Sequence, residues 1–129
     1  MNVPDNLLYT EEHEWVLIEG NTATIGITDF AQEALDELVY VEVETVGEEL
    51  DKNDVFGTVE AVKTTSDLFL PLAGKVTAFN PELDENEGDN PTLVNEDPYG
   101  KGWIIKMELS DPEDRDGLLS AEEYGKLLG

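Results

Sequence analysis

The stretch "VEAVKTTSDL", residues 59–68, contains Lys63, in a chain with seven Lys or Arg against 31 Asp or Glu. An ε-amine presented where two strands bend can be acylated, which converts a cation into a long neutral arm carrying whatever chemistry the acyl group brings. The same lysine beside Glu60 and Asp67 can instead form a surface ion pair, worth about 0 to 1 kcal/mol. Composition leaves both readings open. Other chemistries find less support. Carboxylate pairs can serve as acid and base in glycoside hydrolysis, but acids are so abundant here that a pair marks a solvated face far more often than a site. His13 is the only histidine, so a Ser-His-Asp relay would rest on that one ring, and no Gly-x-Ser-x-Gly elbow accompanies it. The acidic run Glu82 to Asp89 lacks EF-hand spacing. With no cysteine there is no thiolate metal site, disulfide or sulfur nucleophile. Any redox chemistry must therefore be borrowed.

The elements that would position Lys63 are strands. "WVLIEGNTATIGIT" reads as a hairpin, Trp15 to Ile18 and Thr22 to Thr28, turning at Glu19, Gly20 and Asn21. Thr28 or Asp29 caps a helix whose Phe30, Ala31, Ala34, Leu35 and Leu38 fall at helical spacing. Val39 to Val43 alternates as a half-buried strand does. From Asp54 the alternation places Val55, Gly57, Val59 and Ala61 on one face and Phe56, Thr58, Glu60 and Val62 on the other. Leu68 to Leu70 resume the apolar run, Pro71 and Gly74 turn it, and "KVTAF" alternates again until Asn80 and Pro81. Lys63 thus falls near a bend between two strands. "PELDENEGDN" reads as a loop, "PYGKGW" as a turn leading into a strand at Trp103 to Leu109, and Ser120 with Glu123 as the capping box of a terminal helix. Trp15 and Trp103 read as core or rim anchors. The expectation is one domain over residues 1–129, mainly β, a barrel or sandwich with two small helices at its edges.

The formal charge of −24 repels phosphate backbones and anionic lipid, so neither nucleic acid nor a membrane surface is an expected partner. The first residues show no basic and apolar leader, and no run approaches the roughly 20 apolar residues of a membrane span. A cytoplasmic monomer is expected.

Five segments, "YTEEHEWV", "ATIGITDFAQEAL", "VEAVKTTSDL", "PLAGKV" and "NPTLVNEDPYGKGWIIK", resemble in order and spacing those of the glycine cleavage H-protein family. The resemblance runs from about Tyr9 to Tyr124. It implies a barrel-sandwich hybrid of the lipoyl-domain type with small peripheral helices, including a C-terminal one, and lipoate in amide linkage to Lys63. It implies a carrier without turnover of its own. The lipoyl disulfide takes the aminomethyl group of glycine from the P protein, a pyridoxal-phosphate decarboxylase. The T protein passes the one-carbon unit to tetrahydrofolate, and the L protein, a flavin dehydrogenase, reoxidises the dithiol. Lipoate-attaching enzymes become partners, with Glu60 the acid they read. Glu14 and Asp67 match polar residues credited with sheltering the loaded arm in a cleft, whereas Glu12 and Ala34 stand where some members have serine and histidine. Three alternatives remain: a lipoate donor to 2-oxoacid dehydrogenases, a biotinyl or lipoyl domain of a larger complex, and a carboxylate-based hydrolase. Against the second, biotin acceptors usually show Ala-Met-Lys-Met where this chain has Ala61, Val62, Lys63 and Thr64.

Overall fold

The computed structural model describes residues 2–129. The first hairpin joins strand β2 (Glu14–Glu19) to β3 (Thr22–Ile27) through Gly20, whose φ of +65° suits a residue without a Cβ. In register, Val16 faces Ile25 and Trp15 faces Gly26. That second pairing requires glycine, because a Cβ at residue 26 would come within 2.6 Å of the Trp15 indole nitrogen. β3 pairs with β9 (Ile105–Leu109), β9 with β8 (Gly74–Phe79) and β8 with the short β5 (Glu49–Leu50), while β1 (Leu8–Tyr9) edges β2. A second sheet has the order β4-β6-β7, from β4 (Leu38–Glu42), β6 (Val55–Ala61) and β7 (Thr65–Phe69). Both sheets turn apolar faces into one core, with Val16, Ile25 and Ile105 from the first and Val41, Val59 and Leu68 from the second. This is the mainly β, barrel-like sandwich expected.

Strand β6 departs from simple alternation. Phe56 is buried and Val55 is exposed, so Phe56 shares the inward set with Val59 and Ala61. The cause is an irregularity between Val55 and Gly57, where pairing with β7 steps from Val55↔Phe69 to Gly57↔Leu68. An extra residue of this kind flips the facing of everything before it. Gly57 permits it, since a Cβ there would meet the Glu42 carbonyl oxygen at 2.6 Å.

Three helices are present among the described residues, one more than expected. Thr28 caps α1 (Asp29–Leu35), its Oγ1 accepting from Ala31 N at 3.2 Å, and the Ser120 and Glu123 capping box opens α3 (Ala121–Leu128). The addition is α2 (Leu93–Glu96), a single turn too short to show a helical period. Tertiary contacts hold it: Val94 is buried, and Asn95 accepts from Leu38 N at 3.0 Å and donates to the Asp36 carbonyl at 2.8 Å.

Candidate functional site

Lys63 lies at the tip of the β6–β7 hairpin. Ala61 N donates to the Thr64 carbonyl at 2.7 Å, closing a loop whose two connecting residues are Val62 and Lys63. The tip is tied sideways as well, Val62 N donating to the Glu37 carbonyl at 3.3 Å. Backbone is thereby fixed while the lysine side chain is left in solvent. The ion-pair alternative fails geometrically. Among the described residues the only pair within 4.0 Å is Lys126 with Glu122 on α3, and neither Glu60 nor Asp67 holds Lys63. Glu60, three residues before it on β6, is exposed and stands between Tyr40 and Thr65.

The other end of β7 borders a cleft of about 220 Å³ between Thr10, Glu14, Lys52, Phe69, Pro71 and Leu118. Along the strand this is about 13 Å from the tip's first residue on β7, at 3.3 Å per residue. Glu14 is its buried acid, with 2% of its surface exposed. One carboxylate oxygen accepts from Thr10 Oγ1 at 3.0 Å and the other from Phe69 N at 2.9 Å. Burial raises the Glu14 pKa to about 7, against the opposing effect of those two hydrogen bonds and with a smaller push from the charge of Glu12. The site therefore holds a carboxyl that exchanges its proton near neutrality, and a cation brought against it would favour the ionised form.

Asp67 is not gathered into this cleft. It pairs with Thr58 across β6 and is exposed, and it is not among the residues lining the cavity. Of the two acids matched to the arm, the structure buries one beside an apolar wall and leaves the other on the surface.

His13 serves structure. It adopts a φ of +69° at the turn into β2, and its Nδ1 lies 2.9 Å from the Tyr124 hydroxyl, which is also 2.7 Å from Thr28 Oγ1. Burial lowers its pKa, partly offset by Glu12. Trp15 is a core anchor whose indole N–H donates to the Pro98 carbonyl at 2.8 Å. Trp103 is half-buried with the Lys106 ammonium 4.9 Å from its ring centre. Among the described residues no three His, Cys, Asp or Glu are grouped to hold a metal, and no helix is long and apolar enough to cross a membrane.

Residue-by-residue reasoning missed Lys52 and Leu118 as cleft walls. Lys52 Nζ donates to the Asp116 carbonyl, tying the turn before β6 to the loop that carries Leu118. No local pattern signals a contact across 64 residues.

The sequence model of the family described as Glycine cleavage H-protein matches residues 7–129. A glycine cleavage system H protein of Bacteroides fragilis is 56% identical over 124 residues, 96% of this chain and 95% of that protein. One from Salinibacter ruber is 50% identical over 127 residues, 98% of this chain and 99% of that one. The crystal structure of a glycine cleavage system H protein from Mycobacterium marinum is similar with a TM-score of 0.85 at 34% identity, covering 98% of this chain and 99% of the other.

Proposed function

The chain belongs to the glycine cleavage H-protein family, and from that premise we propose that it is the lipoyl carrier of a glycine cleavage system, with Lys63 as the attachment site. The observation that carries the reading is the hairpin tip. A lysine on a two-residue turn, free of any ion pair among the described residues, is an amine that an acylating enzyme can enclose. The residues fit the group in a second respect, since a cleft lined by apolar Phe69, Leu70, Pro71 and Leu118 together with polar Glu11, Glu12, Lys52 and Asn53, and holding the buried acid Glu14, lies at the far end of the same strand. When bound, lipoate supplies a disulfide that is reduced as it takes up the aminomethyl group of glycine.

The chain's own residues contribute positioning. Ala61, Thr64 and Glu37 fix the tip by backbone hydrogen bonds, so the amine is held out from the sheet. Glu60 supplies an exposed charge for the attaching enzyme to read. Glu14, kept in place by Thr10 and the Phe69 amide, offers a carboxylate to an ammonium and shields it from water, which strengthens that contact. Asp67 adds negative potential from outside the cleft. Tethering then replaces diffusion of a free cofactor by a high local concentration at each docked enzyme. The P, T and L proteins are the partners of this reading, met in turn by a cytoplasmic monomer without turnover of its own.

Incubation with a lipoate ligase, followed by intact mass and peptide mapping, tests it. Lipoate is expected on Lys63 and on no other lysine. Lys63→Arg retains the charge and the fold but not the acceptor amine, and should gain no mass. Lipoate found on Lys63→Arg would overturn the assignment.

A further inference from the structure

Two exposed valines sit beside the acceptor lysine. Val62, the other residue of the tip, is 69% exposed, and Val39 is 45% exposed. They flank one rung of the sheet. Leu38 pairs with Ala61, Val62 follows Ala61, and Val39 follows Leu38 with no partner because the pairing then steps to Tyr40↔Glu60. In a regular antiparallel ladder such diagonal neighbours lie roughly 7–8 Å apart, within reach of long side chains.

Folding does not explain this pair. A turn of two residues favours Asn, Asp or Gly, and a β-branched residue there gains nothing from burial when most of it faces water. Val39 reaches the surface through the irregularity in β4, a device that re-aims a side chain and is frequent beside functional sites. A lone exposed apolar residue needs no account. Two that bracket the same rung next to the acceptor amine, on a chain of net charge −24, form a local contact surface. Exposed acids rim it, Glu37 before Leu38 and Glu60 before Ala61.

We propose that Val62 and Val39 are the apolar docking contact for the enzyme that acylates Lys63, which meets them with an apolar lip rimmed by Lys or Arg. The proposal rests on the carrier reading and names the surface by which that site is recognised. The acylating enzyme is the fitting occupant because its active site must reach Nζ itself and so covers the tip. Enzymes that use the finished arm meet its far end. In the step it catalyses, the neutral amine attacks the carbonyl of an acyl adenylate. The Nζ–C amide bond forms, the bond to the phosphate oxygen breaks with its electron pair leaving on AMP, and the amine gives up one proton.

The test is the rate of lipoylation of the unmodified chain by a purified lipoate ligase with ATP and lipoate. Val62→Ser, Val39→Ser and the double variant are compared with Leu127→Ser, which removes a comparably exposed apolar side chain (49%) on α3. The double variant is expected to lose about ten-fold in kcat/KM, carried by KM, with an unchanged thermal midpoint. Val62→Ile in place of serine should restore the rate, and Leu127→Ser should match the wild type. Equal rates for wild type and double variant, a loss confined to kcat, or an equal loss in Leu127→Ser would each overturn the docking contact while leaving the carrier reading intact. A wild-type chain that takes no lipoate on Lys63 would overturn the carrier reading and the contact together.

Discussion

Glu14 concentrates the residue-scale physics. Its carboxyl has a folded-state pKa of about 7 against a reference of 4.5, so between those values the folded chain keeps a proton that the unfolded chain has released. Stability must then fall as pH rises from about 4.5 to 7 and level off above, a loss on the order of 3 kcal/mol. Glu14→Gln can keep both contacts, its carbonyl accepting from Phe69 N and its amide donating to Thr10 Oγ1, without the titration. Urea unfolding at a series of pH values should show the variant equal to wild type near pH 4 and more stable by that amount at pH 8. A difference that does not change with pH would exclude a raised Glu14 pKa. Function runs the other way. Loss of the ionisable group should shorten the lifetime of the aminomethyl load when no T protein is present, and Asp67→Asn, acting from outside the cleft, should shorten it less. Equal lifetimes for wild type and a variant combining Glu14→Gln with Asp67→Asn would return both acids to a structural or solvated role.

At the scale of elements, two attachments matter. The β6–β7 hairpin is held by its own pairing and by the Val62 to Glu37 bond, whereas α3 is held through Tyr124. That ring stacks on Tyr9 with centroids 4.7 Å apart and planes within 6°, and its hydroxyl links His13 on the turn into β2 to the cap of α1 at Thr28. Tyr124→Phe keeps the stack but leaves buried Thr28 and half-buried His13 without their shared hydroxyl. It should cost about 1 to 3 kcal/mol in urea unfolding. Hydrogen exchange should quicken at the Tyr9 and Leu119 amides, which bond each other's carbonyls. Lipoylation of Lys63 should keep its rate, because the hairpin belongs to the other sheet. A slowed rate would mean that α3 and the tip are coupled.

Across the whole molecule the excess of 31 acids over seven Lys or Arg acts on folding and on association with opposite signs. Self-repulsion weakens the compact state, and salt screens it, the Debye length falling from about 10 Å at 0.1 M to about 3 Å at 1 M. The thermal midpoint should therefore rise over that range. Docking to partners with basic patches should slow over the same range, since steering is screened as well. Acylating Lys63 takes the formal charge from −24 to one unit lower, too small a change to alter either trend. Aminomethyl transfer rates that stay flat with salt would reject electrostatic docking.

What was legible in the chain is what depends on near neighbours. Alternation and turn residues marked the β2–β3 hairpin and the strands on both sides of Lys63. Thr28 and the Ser120 with Glu123 pair marked helix starts, because a cap is a bond across three residues. The segments around Lys63 carried the family resemblance, and with it the proposal that Lys63 is the acceptor. Tertiary structure decided the rest. Whether Phe56 or Val55 faces the core depended on Gly57 passing close to the Glu42 carbonyl, and the one turn of α2 exists through Asn95 bonding a strand 57 residues away in the chain. Glu14 and Asp67 look alike as residue types, yet the fold buries the first against Phe69, 55 positions distant, and leaves the second in water. Burial is set by what packs from elsewhere in the chain, so the acid with a shifted proton became visible only once β2 and β7 were brought together.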